Sequence, residues 1–118
     1  MIRGRLYQSN NRLLLLNEVM LTSNALERMR GLLGRPALTR GQGLLIRPCN
    51  SVHTIGMRYP IDLIFLDRQW VIKKLVHALP PWRLAWSPGA HMVIELPGAT
   101  LTQFDLESGT ELLWEDDA

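Results

Sequence analysis

The chain reads as an α+β domain in which β dominates. The expected architecture is a small, largely antiparallel, barrel-like sheet with one clear N-terminal helix and one short second helix. Short apolar segments bounded by Gly, Pro, Asn and Asp recur along the whole sequence, roughly six or seven of them, as in a run of consecutive strands. A single segment, residues 24–33, carries a capped helical pattern of useful length. The strands follow one another through turns rather than helices, which favours antiparallel pairing.

Taken in order, residues 2–7 alternate weakly and read as an edge strand. Residues 12–20 make a better strand, with Asn17-Glu18 marking a bend. Asn24 is a suitable N-cap, and Glu27 three positions later completes an Asx version of the capping box. Leu26, Met29 and Leu33 lie on one helical stripe, Arg28 and Arg30 favour the C-terminal end of the dipole, and Gly34 with Pro36 stops the helix. A short strand covers 44–46. After Pro60 the apolar run Ile61–Leu66 is a buried strand, joined by the tight Asp67-Arg-Gln connection to a hairpin partner at 70–76. Pro80, Pro81, Pro88 and Gly89 bracket an irregular loop carrying Trp82 and Trp86. Residues 91–96 form another strand, Pro97 opens a short helix to about Phe104, Ser108-Gly109 turns, and 111–114 is the last strand.

Length and composition narrow the classes. A chain of 118 residues with 47% apolar and 20% charged residues suits one ordinary globular domain, here 1–118. The formal charge is only +2, and Lys and Arg are scattered between Arg3 and Arg83 without the clustering that phosphate neutralisation requires, so nucleic acid is not an expected partner. The N-terminal apolar run stops at Leu16, too short for a signal or a membrane span. A cytoplasmic protein without membrane association is expected. The lone Cys49 excludes an internal disulfide framework and agrees with that compartment.

Residues 49–67, Cys-Asn-Ser-Val-His-Thr-Ile-Gly-Met-Arg-Tyr-Pro-Ile-Asp-Leu-Ile-Phe-Leu-Asp, gather a thiol, an imidazole, a thioether and two carboxyl groups around one turn. Loops on a rigid scaffold are where binding and catalytic groups concentrate. With Arg30-Gly-Leu-Leu-Gly-Arg-Pro and Ser87-Pro-Gly-Ala-His-Met-Val-Ile-Glu-Leu-Pro-Gly, this segment resembles the "domain of unknown function 192" family over about residues 21–114. Many members carry a Trp-Met pair and an Asn where this chain has His53-Thr54 and Gly56. The resemblance implies a compact, mainly β domain and no settled activity.

Several roles compete for the candidate residues. Asp62 is either a structural acid that accepts loop N–H groups and ties down the 53–60 turn, or a group that orients His53 or a ligand. Cys49 is either a small packing residue or a nucleophile with His53 as base. Cys49 and His53 with His77 and His91 do not have the paired spacing of a zinc site, so neither metal nor cofactor is expected. Met57, Trp82 and Trp86 either cap the core or wall a pocket. Glu95, between Ile94 and Leu96, is expected to face solvent.

The leading reading is a non-enzymatic binding or accessory domain. Its site would combine residues 49–62 and 80–91, with His53 and Asp62 as polar contacts for a small polar ligand or peptide and Met57, Trp82 and Trp86 as apolar wall. One alternative is an enzyme, either a hydrolase using Cys49 and His53 or an acid/base catalyst using His53 and Asp62. Another is a protein-interaction module presenting the 80–91 loop, rimmed by Arg83 and His91. The oligomeric state stays open.

Overall fold

A computed structural model describes residues 1–117. Its strands are β1 (Ile2–Gln8), β2 (Leu14–Leu21), β3 (Gln42–Ile46), β4 (Ser51–His53), β5 (Ile61–Leu66), β6 (Ile72–Leu79), β7 (Leu84–Trp86), β8 (Met92–Pro97) and β9 (Leu112–Asp116), with helix α1 (Ala25–Arg30) between β2 and β3. Seven of the strands form one sheet in the order β6-β5-β8-β3-β2-β1-β9, while β4 and β7 form a separate two-stranded ribbon.

The large sheet is mixed rather than largely antiparallel. β2 and β3 run parallel, because the segment 22–41 that contains α1 carries the chain back across the sheet before β3 begins. The sheet curls into a half-barrel whose two edge strands meet at one corner. There Val71 bridges Glu111, Ile72 N–H donates to the Thr110 carbonyl (2.9 Å), and Trp70 stacks on Trp114 with ring centroids 6.1 Å apart. Gly4 makes this corner possible, since a Cβ on it would stand 2.5 Å from the Trp114 ring. β1 is therefore an interior strand between β2 and β9, not an edge. The bend expected at Asn17-Glu18 coincides with a register shift between β1 and β2.

β5 and β8 lie in the interior of the sheet and are buried on both faces. Alternation sorts their side chains into two cores. Ile64, Leu66, Met92, Ile94 and Leu96 join the core inside the curl, with Leu6, Leu16, Val19 and Leu101. Ile61, Leu63, Phe65 and Val93 join the second core, roofed by Leu32 from the turn after α1, Val52 and Ala85 from the ribbon, and Met57 from the turn between β4 and β5.

The helical expectations shorten. α1 has the expected cap: Asn24 Oδ1 accepts from the Glu27 N–H (2.9 Å), while Glu27 Oε1 accepts from the Ser23 N–H (2.6 Å). It ends at Gly31, where φ is +54°, instead of running to Leu33. Arg30 donates to the Leu33 and Gly34 carbonyls, and Arg35 donates to the Gly31 carbonyl, so side chains close the turn beyond the helix. The stripe of Leu26, Met29 and Leu33 is exposed, and Leu32 is the residue that enters the core. The second helix is a single 3-10 turn, Leu101–Gln103, because Pro97 belongs to the end of β8.

Asp62, completely buried, ties this turn to the sheet. Between Ile61↔Leu79 and Leu63↔Val76 the β5–β6 register slips, leaving a bulge at His77-Ala78 with Ala78 at φ +49°. The bulge frees the Ala78 N–H, which donates to Asp62 Oδ1 (2.7 Å); the Leu101 N–H, opening the 3-10 turn, donates to Oδ2 (2.8 Å). Asp67, by contrast, accepts from the N–H groups of Gln69 and Val71 in an exposed turn. Asp62→Ala leaves two donors without partners and is expected to cost about 2–6 kcal/mol, at roughly 1–3 for each buried group. Asp67→Ala should stay within about 1 kcal/mol. Urea melts of both variants check this, and equal small losses would refute the anchoring role.

Candidate functional site

The two segments singled out by sequence meet. β4 pairs with β7 in the register Ser51↔Trp86, Val52↔Ala85 and His53↔Leu84. Alternation turns Val52 and Ala85 onto the second core and leaves Ser51, His53, Leu84 and Trp86 outside. Thr54 pins the ribbon's end. Fully buried, it donates its hydroxyl to the Pro80 carbonyl (2.7 Å), accepts from the Arg83 N–H (2.8 Å), and donates its own N–H to the Arg83 carbonyl (2.8 Å). The other end is held by Cys49 N–H to the His91 carbonyl and Ser87 N–H to the Asn50 carbonyl.

Between α1 with its following turn, β4 and β8 lies a small cleft of about 50 Å³. Cys49, His53 and Met57 line it, together with Met29, Leu32 and Glu95. The other proposed contacts lie elsewhere. Asp62 is on the opposite face of the sheet, its carboxyl held by Ala78 and Leu101, so it does not meet His53. Trp82 and Trp86 do not line the cleft and stand 64% and 56% exposed on the ribbon side, with Lys74 Nζ 5.9 Å from the centroid of the Trp86 ring.

Glu95, expected to face solvent, is 4% exposed at the base of the cleft. Its place on β8, with ladders to β3 and β5 on either side, explains why: an interior strand has no solvent face where α1's turn and the ribbon cover it. The readable signal was the uninterrupted apolar run around it, typical of a strand buried on both faces. Oε1 has no hydrogen-bond partner. Burial pushes the Glu95 pKa up to about 7, opposed by the Leu32 N–H and the Arg35 charge. Gly31 belongs to the same wall, since a Cβ there would lie 3.0 Å from Oε1.

Cys49 has the opposite of an activated environment. Its Sγ–H donates to the Ser51 carbonyl (3.1 Å) rather than to His53. Burial raises its pKa most; the Ser51 contact opposes this, the Glu95 charge raises it a little further and Arg28 lowers it slightly, so the net direction is up. Among the described residues, no three His, Cys, Asp or Glu side chains converge as metal ligands, and no helix is long and apolar enough to cross a membrane.

Residues 7–114 match the model of the DUF192 family, described as an uncharacterized ACR. The chain belongs to this family. Two crystal structures share the DUF192 fold seen here. One, from Sinorhizobium meliloti 1021 and described as a "putative transcription regulator", superposes with a TM-score of 0.80 at 21% identity, covering 96% of this chain and 92% of that one. The other, a protein of unknown function from Novosphingobium aromaticivorans DSM 12444, has a TM-score of 0.75 at 18% identity, covering 95% of this chain and 84% of that one. At such identities the likeness is one of fold. No curated protein matches the sequence.

On this DUF192 scaffold the cleft makes two expectations measurable. Alkylation of Cys49 by iodoacetamide at neutral pH should run about tenfold slower than that of a free cysteine, since only the thiolate reacts; labelling as fast as the free amino acid would restore the nucleophile. Glu95 gives stability a pH slope. Its folded pKa is raised to about 7 from 4.5, so the folded chain holds the proton more tightly than the unfolded one. Both forms are protonated below about 4.5, stability falls as pH rises through this window to about 7, and it levels off above. The fall should be on the order of 3 kcal/mol. Denaturant melts from acid to neutral pH check it, and Glu95→Gln should remove the slope.

Proposed function

We propose that this domain is a binding or accessory module whose cleft takes one small polar group of a ligand or peptide. The reading rests on Glu95: a carboxyl almost wholly buried, with one oxygen unanswered, at the base of an open cleft. Buried polar atoms in folded proteins nearly always find partners, so an unpartnered one on a residue that lines a cleft suits completion by a bound group. A cavity of about 50 Å³ exceeds the roughly 10–15 Å³ that one water needs and falls far short of the roughly 300–1,000 Å³ of a pocket that encloses a metabolite, so it suits a terminal group.

What carries that group would rest on the surroundings. Met29 (76% exposed), Leu33 and Ile55 stand in solvent around the cleft, and Leu84 and Trp86 continue the apolar surface on the ribbon beside His53. Exposed apolar groups clustered around one polar pocket are the usual composition of a peptide or ligand site. An enzymatic reading draws less support, because the Cys49 thiol is held protonated and Asp62 is committed to two backbone donors on the far face.

An array of random octapeptides, probed with the full chain, tests this reading. Micromolar binders are expected, and Met29→Glu and Ile55→Glu should each weaken them about tenfold, the loss of roughly one buried apolar anchor. Binding indifferent to both substitutions would place the site elsewhere and overturn the reading.

A further inference from the structure

The charges around the cleft restrict what its polar occupant can be. Glu95 is the one acid among the cleft-lining residues, whereas Arg28 and Arg30 line the same space. Arg30 commits Nε and one Nη2 hydrogen to the Leu33 and Gly34 carbonyls, and its Nη1 has no partner among the described residues. The half-buried Arg28 side chain makes no hydrogen bond or ion pair among the described residues. The other titratable groups facing Glu95 bring no negative charge: burial first, then Glu95 itself, raises the pKa of both the Cys49 thiol and the Tyr59 phenol. His53 from β4 also lines the cleft, and Arg35 acts on Glu95 from the turn after α1. With its proton on, Glu95 offers a hydrogen-bond donor in a cleft that two arginines also line.

Building on the cleft as the binding site, we infer that its occupant is a carboxylate with a short apolar tail. Arg28 and Arg30 would pair with the carboxylate at the mouth, and the Glu95 carboxyl would donate a hydrogen bond to it from the base. Met29, Leu33 and Ile55 would receive the tail. Guanidinium–carboxylate pairs combine charge with directional hydrogen bonds, and a carboxyl beside a carboxylate keeps its proton because the two cannot both ionise at close range. Binding therefore takes up a proton wherever free Glu95 has lost it, so affinity must fall as pH rises through neutrality.

Amide correlation spectra of the full chain, titrated with n-butyrate, n-butyramide and n-butylammonium, test the assignment. Butyrate should shift the amides of Gly31, Leu32, Cys49 and Glu95 most strongly, with Kd rising about tenfold between about pH 6 and about pH 8. Arg28→Gln should weaken butyrate about tenfold at the lower pH, the loss of one charge-assisted contact. Glu95→Gln keeps a donor at the base, so butyrate should still bind, but without the pH dependence. Acetyl-Ala-Leu and its C-terminal amide separate the sources: a peptide acid tighter than butyrate marks a chain end, and equal affinity marks a free acid. Butylammonium binding better than butyrate, or butyrate binding that ignores pH in the unmodified protein, would overturn the carboxylate while leaving the cleft a binding site. If every probe leaves these amides unmoved and the octapeptide array is also blank, both readings fall.

Discussion

Two carboxyl groups enter the two cores of this protein from adjacent strands, and the fold depends on how the first is answered. Asp62 on β5 lies opposite Leu96 on β8, and Glu95 on β8 lies opposite Leu63 on β5. Neighbouring positions on antiparallel strands thus send one acid to each face. Inside the curl, Asp62 receives one N–H freed by the β6 bulge and another from the opening of the 3-10 turn. Both donors would otherwise be buried without partners, and the carboxyl would be too. One side chain therefore fixes the edge of the sheet, the path of the chain after β8 and the lid over the inner core.

The second face follows a different logic. The crossover between β2 and β3 and the β4–β7 ribbon cover β8, so Glu95 is buried whether or not its chemistry is satisfied. Thr54 and Asp62 consume their hydrogen-bonding capacity within the chain, whereas Glu95, a residue lining the cleft, keeps one buried oxygen without a partner. The first two are answered within the chain and hold the scaffold together; the third is not answered there. Arg30 and Arg35 share both roles, closing the turn after α1 through backbone carbonyls while setting the charge around the cleft.

Much of the scaffold was legible in the sequence. Ile61–Leu66 has the residue pattern of a strand buried on both faces, and the Asn24/Glu27 cap forms as its residue types suggest. Local signals failed where tertiary contacts decide. The stripe Leu26–Met29–Leu33 looked like a core-facing helix, but a six-residue helix spans less than two turns, and the positive φ at Gly31 redirects the chain so that Leu32 alone is buried. The parallel pairing of β2 with β3 depends on a crossover that strand patterns do not encode. In the site segment, Cys49, His53 and Met57 do gather in one cleft. Asp62 parts from them because one step along a strand reverses a side chain's face.

Glu95 was hidden by the same alternation that made the strands readable. An acid between two apolar residues on a strand normally points to water, and that inference holds only where the second face is bare. Here the covering elements are the short ones, a three-residue ribbon strand and a truncated helix, whose sequences carry little periodic signal. The exposed stripe of α1 then acquires a physical meaning. Leu26, Met29 and Leu33 are on the surface because the crossover stops too early to bury them, and Met29 and Leu33 are left beside the opening over Glu95. The features that weaken α1 as a core element place its apolar side chains where a ligand's tail would meet them.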